Sequence, residues 1–451
     1  MGDPTANRPA GAGDGADAAG SPSALEAIVT AETSAARPVL AIFGLALTLR
    51  CAWILVHSAD STVLTFPDEE QYWRLAQSVA GGRGLVDEFG YRATFMPLYP
   101  AFLSLFVDRP HGMLLARLAQ AIVGAAAVFP IYVLARRLAG RRAAAASAVL
   151  VATDPFLVFG FSNLLLTETC FTTVLCAALA AGWPATGMTA ERMPSGSVQA
   201  PCRRNSRGRP LTTLRAVITG VLFATAVYLR PSIAAFVPLW LVALVLVVRP
   251  ATTAVRSGVA VAATVILLLL PWAVRNRVVL GQWVWLTTRS GISLYDGLGP
   301  RATGASDLAY TKTMPNVNGL PETQWNAYFT HESWRIARDD PARVLVLARA
   351  KFGRMWSFVP NEPGSRTPLK MAVSAIWMMV VLAAAAIGVI RMRRGRDILL
   401  LLLPAVYLTL LHMIYVGSVR YRVPAMPLIY VLSGWAIARQ RGRDPSGVRD
   451  G

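Results

Sequence analysis

The chain has 451 residues, of which 54% are hydrophobic and 15% are charged, and its mean hydropathy is +0.46. Because soluble domains carry about a quarter charged residues, this composition excludes an ordinary soluble enzyme. The formal net charge is +19, but the arginines lie in clusters between apolar stretches, which is typical of membrane topology and disfavours nucleic-acid binding.

Residues 1–37 are rich in Ala, Gly, Asp, Ser and Pro and predict a disordered tail, because few large apolar side chains are available to fold it. About ten apolar stretches follow, as expected for helices that cross a hydrocarbon core about 30 Å thick. The predicted spans are residues 38–57, 113–134, 143–160, 166–183, 216–229, a sixth that ends at Arg249, 256–272, 371–390, 398–416 and 423–438.

The arginine clusters predict the orientation of these spans. With the N-terminus inside, the clusters lie on the cytoplasmic face, together with a basic insertion at 184–213 and a tail at 440–451. Two long loops, 58–111 and 275–370, then lie on the opposite face. The sequence therefore predicts an all-α polytopic membrane protein, embedded over residues 38–439, with both termini cytoplasmic and its chemistry on the outer side.

The outer loops are expected to contain helices of their own. Tyr72, Leu75, Ala76 and Val79 share one helical face. Residues 97–107 are apolar but too short to span the bilayer, so both segments are predicted to lie in the membrane interface. In the second loop, residues 322–356 predict two helices that are separated near Asp340 and Pro341.

Three consecutive acids, Asp68, Glu69 and Glu70, follow the first span. One interpretation is a helix start, with Asp68 as the N-cap and Gln71 completing a capping box. The other is a general base or a metal ligand that faces the membrane surface. Glu168, at the outer start of the fourth span, either faces a cavity or reaches interfacial water.

Several cations lie on the outer side, against the positive-inside trend: Arg230, Arg275, Arg289, Arg420, Arg422 and Lys351. A guanidinium pair such as Arg420 and Arg422 suits a phosphate, because it offers bidentate hydrogen bonds. The alternatives are snorkelling, pairing with acids such as Asp68, or a solvated helix face for Lys351. His412, within the ninth span, is expected to have a structural role.

Taken in order, these segments resemble the polyprenyl-phosphate-dependent membrane glycosyltransferases of the GT-C fold, in the family 39 branch of protein O-mannosyltransferases and aminoarabinose transferases. The resemblance covers roughly residues 38–439. It rests on residues 67–72 (PDEEQY), 96–100 (MPLYP), 117–140 with its final RLAG, 167–168 (TE), 229–232 (LRPS), 271–276 (PWAVRN) and 420–424 (RYRVP).

The resemblance implies an inverting transfer of a sugar, mannose-like or other, from a polyprenyl-phosphate lipid to an acceptor hydroxyl on a protein, lipid or glycan. It implies Asp68 as the general base, with Glu69 as the alternative base or as a positioning group, and Glu168 as the acid of the next outer loop. It also implies a donor phosphate site, formed by Arg420, Arg422, Arg275, Lys351 and Arg230. The tyrosines of the matching segments, Tyr72, Tyr99 and Tyr421, are expected to line the substrate cleft.

The sequence departs from the family in its third acid, Glu70, and in the insertion at 184–213. Neither the cysteines nor the histidines have metal-site spacing, so no metal ligand is assigned, although a divalent metal is compatible with the resemblance. A bacterial plasma membrane is the expected location. The alternative functions are a flippase for lipid-linked sugars and a non-enzymatic envelope assembly protein. Transporters often contain repeats and midplane charges, neither of which this sequence shows.

Overall fold

The structure is a computed structural model that describes residues 24–57, 64–184, 211–314, 317, 319–362, 364, 366–392 and 394–440. Within these residues the chain is helical and contains no β-strand. The predictions for residues 1–23, for most of the insertion 184–213 and for residues 441–451 lie outside this part of the chain.

The first half of the chain alternates long apolar helices with short outer ones. Its helices are α1 (Ala24–His57), α2 (Pro67–Ala80), α3 (Leu98–Ser104), α4 (Gly112–Ala125), α5 (Val128–Ala139), α6 (Arg141–Thr153), α7 (Glu168–Gly182), α8 (Thr213–Leu229) and α9 (Phe236–Val247). A single π-helical turn, Phe156–Gly160, follows α6.

The second half begins with the longest helix after α1 and then forms the second outer loop. Its helices are α10 (Ala251–Leu280), α11 (Ser290–Leu298), α12 (Glu322–Asp339), α13 (Pro341–Met355), α14 (Pro368–Arg391), α15 (Gly395–Ile414), α16 (Val419–Arg422) and α17 (Met426–Gln440).

Six helical segments among the described residues are long and apolar enough to cross a membrane: Arg37–His57, Gly112–Ala139, Arg141–Gly160, Ala251–Leu280, Pro368–Arg391 and Gly395–Ile414. Three shorter apolar helices are Glu168–Gly182, Thr213–Leu229 and Pro231–Val247. These nine segments and α17 correspond one by one to the predicted spans, so the predicted all-α, multi-pass membrane fold is confirmed. The first span is only 17% buried within the protein, which leaves most of its apolar surface for lipid.

Two predicted boundaries are wrong. Residues 24–37, predicted as part of the disordered tail, are helical and continue into the first span. This segment is rich in Ala and also contains Leu and Glu, all of which favour helix. The seventh span does not end at Trp272, because α10 accommodates Pro271 and continues to Leu280, where Gly281 adopts a left-handed conformation with φ of 70°. The second outer loop therefore begins beyond residue 275.

The predicted helices of the outer loops are confirmed, and the two loops are joined. Glu322, the first residue of α12, accepts hydrogen bonds from the backbone N–H groups of Arg92 (2.6 Å) and Ala93 (2.7 Å) and from the Thr288 hydroxyl (2.5 Å). The Tyr91 hydroxyl donates to the carbonyl of Leu320 at 2.9 Å. These bonds connect the two loops directly to each other.

Candidate active site

The acidic segment after the first span begins helix α2, but not in the predicted way. The N-cap is Phe66 rather than Asp68, and Pro67 is the first helical residue. Proline suits this position because its fixed φ matches the helix and its missing N–H needs no partner. The predicted capping box of Asp68 and Gln71 is therefore wrong.

Glu69 stabilises this helix start. Its Oε2 accepts hydrogen bonds from the backbone N–H groups of Thr65 (2.9 Å) and Phe66 (3.0 Å), and its Oε1 accepts one from Leu165 (2.8 Å). The side chain is fully buried. Glu69 therefore joins the first outer loop to the segment before α7, and its carboxylate is occupied by backbone donors.

Asp68 lies one residue earlier and has a different environment. Its side chain is 34% exposed. Its Oδ2 accepts a hydrogen bond from Nη1 of Arg420 at 2.7 Å, and its Oδ1 lies 3.8 Å from Nη2 of Arg289. Asp68 is thus a carboxylate that is paired with cations and still partly exposed.

Arg420 also connects Asp68 to Glu168. Its Nε donates to Oε1 of Glu168, and Nη1 of Arg230 donates to the same oxygen at 3.0 Å. Glu168 is fully buried, and its Oε2 has no hydrogen-bond partner among the described residues. Three arginines and two acids therefore form one cluster, with one positive charge in excess.

Each member of this cluster lies at an end of a helix on the same side of the bundle. Arg230 follows α8, Glu168 begins α7, Arg289 precedes α11, and Arg420 lies in the short helix α16. Short loops and turns thus bring together residues that are far apart in the chain.

Aromatic rings surround the cluster. Tyr421 lies under the guanidinium groups of Arg230 and Arg420, at 5.1 and 5.8 Å from its ring centre, and stacks on His412 at 3.8 Å. The centre of the Tyr72 ring is 5.0 Å from that of Tyr99. Tyr99 itself is buried and donates to Oε1 of Gln120 at 2.7 Å, so its hydroxyl is bound within the protein rather than exposed.

Three predicted phosphate ligands lie elsewhere. Arg422 is fully buried and donates to the carbonyls of Met355 (2.8 Å) and Ser357 (2.5 Å). Lys351 is also fully buried, and its Nζ donates to the carbonyl of Ile414 at 2.6 Å. Arg275 donates to the carbonyl of Arg92 and lies 4.9 Å from the Trp272 ring.

Arg289 takes part in the site although the resemblance did not include it. Its Nη1 donates to Oε1 of Gln71 at 2.6 Å, and its guanidinium lies 4.6 Å from the centre of the Phe95 ring. The sequence contained one signal for this role, since Arg289 was among the arginines on the outer side. Nothing in the local sequence linked it to Asp68 or Gln71.

The charges of the cluster determine the protonation of Asp68. Burial acts to raise the pKa of Asp68, but the charges of Arg420 and Arg289 and the hydrogen bond from Arg420 outweigh burial and lower that pKa below its ordinary value. Asp68 is therefore ionised at neutral pH. Burial raises the pKa of Tyr72, also in the first outer loop, to about 12, so this phenol stays protonated.

A cleft adjoins the cluster on the side of Gln71 and Arg289. Its volume, including open solvent, is about 460 Å³. It is lined by Gln71, Arg74, Leu75, Asp87, Glu88, Phe89, Tyr91, Thr94, Phe95, Arg289 and Trp325. The described residues include no group of three or more His, Cys, Asp or Glu side chains that is placed to hold a metal ion.

No protein-family model and no curated protein matches the chain. Among solved structures, it is similar to the archaeal oligosaccharyltransferase AglB from Archaeoglobus fulgidus in complex with an inhibitory peptide and a dolichol-phosphate, with 16% identity and a TM-score of 0.50 over 92% of this chain and 52% of that one. The apo form of the Archaeoglobus fulgidus oligosaccharyltransferase gives 16% identity and a TM-score of 0.51 over the same shares. The GT-C fold is confirmed.

The chain spans about half the length of these oligosaccharyltransferases. ArnT from Cupriavidus metallidurans in the apo state also matches, with 15% identity and a TM-score of 0.35 over 91% of this chain and 78% of that one. At such identities the similarity concerns the fold. The fold alone does not assign a function to this protein, whereas the residues of the cluster have chemistry that can do so.

The cluster combines two chemical capacities. Asp68 is an ionised and partly exposed carboxylate that can accept a proton. The guanidinium groups beside it can stabilise negative charge on a phosphate, in a site where burial strengthens the interaction. Transfer of a group from a phosphate to a hydroxyl needs both capacities within a few ångströms.

Proposed function

We propose that this protein is an inverting glycosyltransferase that moves a sugar from a polyprenyl-phosphate donor to an acceptor hydroxyl on the non-cytoplasmic face. The observation that carries the proposal is Arg420, which contacts Asp68 and Glu168 at once, with Arg230 and Arg289 beside it. A base and a phosphate site are thus built around one residue. The GT-C fold supports the same chemistry.

The proposed reaction proceeds in one displacement. The acceptor hydroxyl gives its proton to Asp68 while its oxygen attacks the anomeric carbon. The bond from that carbon to the phosphate oxygen breaks, and its electron pair remains on the lipid phosphate. Attack opposite the leaving group inverts the anomeric configuration, and the acceptor gains the sugar.

The arginines act on the leaving phosphate. Three guanidinium groups face two carboxylates, so the cluster retains one positive charge before the donor arrives. A phosphate competes with Asp68 for Arg420, because charge-assisted bidentate bonds to phosphate are strong. As Arg420 turns toward the phosphate, Asp68 loses its strongest partner and becomes a better base.

Glu168 holds the two guanidinium groups in place. Its Oε1 accepts hydrogen bonds from Arg230, at the end of α8, and from Arg420, in α16. Its buried Oε2, which has no partner among the described residues, is available to accept a hydroxyl of the donor sugar. We therefore assign Glu168 a positioning role and Asp68 the proton transfer. Glu69, whose oxygens bind three backbone amides, is assigned to the fold.

The donor is inferred to be lipid-linked, because the cluster lies at the ends of apolar spans, where a polyprenyl chain has access from the bilayer. AglB is described with a bound dolichol-phosphate, which is a lipid of this class. The cleft beside Asp68 is the proposed acceptor site. The proposed location is a bacterial plasma membrane with cytoplasmic termini, since this orientation places the arginine clusters inside.

The test is a transfer assay in proteoliposomes that contain the purified protein and polyprenyl phosphates carrying a radiolabelled sugar. The proposal expects label to leave the lipid fraction and to enter an acceptor fraction. Empty liposomes are the control. If no donor yields product while a fluorescent lipid-linked sugar crosses the bilayer, the transferase proposal is wrong and the flippase alternative replaces it.

A further inference from the structure

Two consecutive helices of the second outer loop expose different kinds of surface. Apart from Trp334, the exposed side chains of α12 are mainly polar and include Gln324, His331, Arg335 and Arg338. On α13 the side chains of Leu345, Val346 and Phe352 are 73%, 68% and 48% exposed. The loop therefore changes from a surface suited to water to an apolar surface within a few residues of Pro341.

The apolar side chains of α13 form a single face. Leu345, Arg349 and Phe352 lie at positions i, i+4 and i+7. Val346 lies three residues before Arg349, so the four side chains share one side of the helix. Arg349 is the exposed charge within this face, and its long side chain can reach from an apolar layer to lipid headgroups. An amphipathic helix with this pattern is typical of the membrane interface.

Helix α13 lies beside spans that also expose apolar side chains. Helix α13 packs against the span α15, whose Leu410 and Ile414 are 59% and 43% exposed. After α13 the chain passes Phe358, 40% exposed, and enters the span α14 through Leu369, 74% exposed. A lipid leaflet is thus the occupant that fits the patch.

We propose that α13 is an interfacial helix that inserts Leu345, Val346 and Phe352 into the leaflet on the side of the Asp68 cluster. This proposal does not depend on sugar transfer. It adds a second membrane contact to the spans, in a loop whose neighbouring helix α12 exposes mainly polar side chains.

The opposite face of α13 holds the turn that carries Arg420. Lys351 donates to the carbonyl of Ile414 at 2.6 Å, and Nε of Arg354 donates to the carbonyl of Gly417 at 3.0 Å. A Cβ atom at Gly417 would lie 2.4 Å from the carbonyl oxygen of Lys351, so only glycine allows this close approach. The position of α13 in the leaflet is therefore coupled to the turn that carries Arg420.

Spin labels on single cysteines test the membrane contact in vesicles of phosphatidylethanolamine and phosphatidylglycerol. The background carries Cys51→Ser and Cys202→Ser, because Cys170 and Cys176 are buried. Labels at Leu345→Cys and Phe352→Cys are compared with Leu410→Cys on the span α15 and with His331→Cys on the polar face of α12. Collisions with oxygen report on lipid, and collisions with a water-soluble nickel chelate report on water.

The proposal expects positions 345 and 352 to behave like position 410, with oxygen favoured over nickel. Nickel access as high as at position 331 would overturn it, because the face would then be in water. Low access to both reagents would also overturn it, because the face would then be covered by protein, either a second copy or a partner.

Hydrogen exchange tests the link to Arg420. The Gly417 amide donates to the carbonyl of Gly304 at 3.0 Å, so its exchange reports on the turn. With Leu345→Glu and Val346→Glu together, we expect this amide to exchange about tenfold faster, because the turn loses the support of a docked helix. His331→Glu is the matched control. Unchanged exchange in the double variant would refute the link between the leaflet and the turn.

Discussion

Asp68 and Glu69 are adjacent acids whose surroundings separate their roles. Glu69 accepts hydrogen bonds from three backbone amides, whereas Asp68 accepts one from Arg420 and remains partly exposed. The sequence predicted both as catalytic candidates, because consecutive acids carry no sign of which one the helix start will use. The difference arises from Pro67, which begins α2 one residue before Asp68 and turns Glu69 back toward the amides of the preceding residues.

A substitution at Glu69 is therefore expected to affect stability. In Glu69→Gln an amide group replaces an oxygen that accepts backbone N–H groups, and a buried donor then faces another donor. Such a loss costs roughly 2–4 kcal/mol, seen as a lower Tm of the purified protein in detergent. Glu70→Gln is the matched control, since Glu70 is 53% exposed and pairs with the equally exposed Arg74. Equal Tm values for the two variants would contradict this role.

The lowered pKa of Asp68 gives a prediction for the pH profile. Because the ionised form accepts the proton, activity is lost only as the pH falls through this pKa, which lies below the ordinary value of about 3.9. We expect kcat/KM for the donor, which reports on the enzyme before the donor binds, to be constant from about pH 7 to pH 5. If kcat/KM instead declines in this interval, with the slope of a single protonation and in enzyme that stays folded, one of two assignments is wrong. Either Asp68 is not the base, or it is not paired with Arg420 before the donor binds.

At the scale of elements, the local sequence was sufficient to predict a helix boundary where an N-cap residue directly precedes a proline. The break between α12 and α13 was predicted at Asp340 and Pro341, and there the Asp340 side chain accepts from the Arg343 amide at 2.9 Å. The same kind of signal failed at Pro271, where neighbouring helices support a proline within α10. A sequence window shows a proline but not the packing that tolerates it.

Glu322 makes contacts between separate elements that no sequence pattern indicated. It ties the start of α12 to the first outer loop through Arg92 and Ala93, and to the segment before α11 through Thr288. We expect Glu322→Ala to lower the free energy of local unfolding of residues 85–95 by about 3 kcal/mol, because three donors lose a buried acceptor. Limited proteolysis at Arg92 measures the change, with Gln324→Ala, at an exposed position of the same helix, as the control. Unchanged cleavage would refute this joining role.

At the scale of the whole molecule, the order and number of spans followed from the hydropathy pattern, but the cluster did not. Asp68 and Arg420 are separated by 352 positions in the chain, and Glu168 and Arg420 by 252. Topology predicted that these residues share one face of the membrane. It could not predict which arginines meet the acids, so Arg422 and Lys351 were included and Arg289 was underestimated.

The orientation of the whole molecule can be tested by labelling. In the same cysteine background, His331→Cys on α12 should react with a membrane-impermeant maleimide added to intact cells. Arg142→Cys, at the start of α6 and on the opposite side, should react only after the cells are opened. The reverse pattern would place the Asp68 cluster in the cytoplasm and would contradict the proposed orientation.

The most direct measurement of the central claim compares sugar transfer by the wild type, Asp68→Asn and Glu70→Gln at equal amounts of folded protein. The account predicts that Asp68→Asn loses about 10²- to 10⁴-fold in transfer, the usual contribution of a general base. Glu70→Gln, which removes a neighbouring carboxylate that points to solvent and pairs with Arg74, should retain transfer. Full transfer by Asp68→Asn would contradict the assignment of the base and, with it, the mechanism built around Arg420.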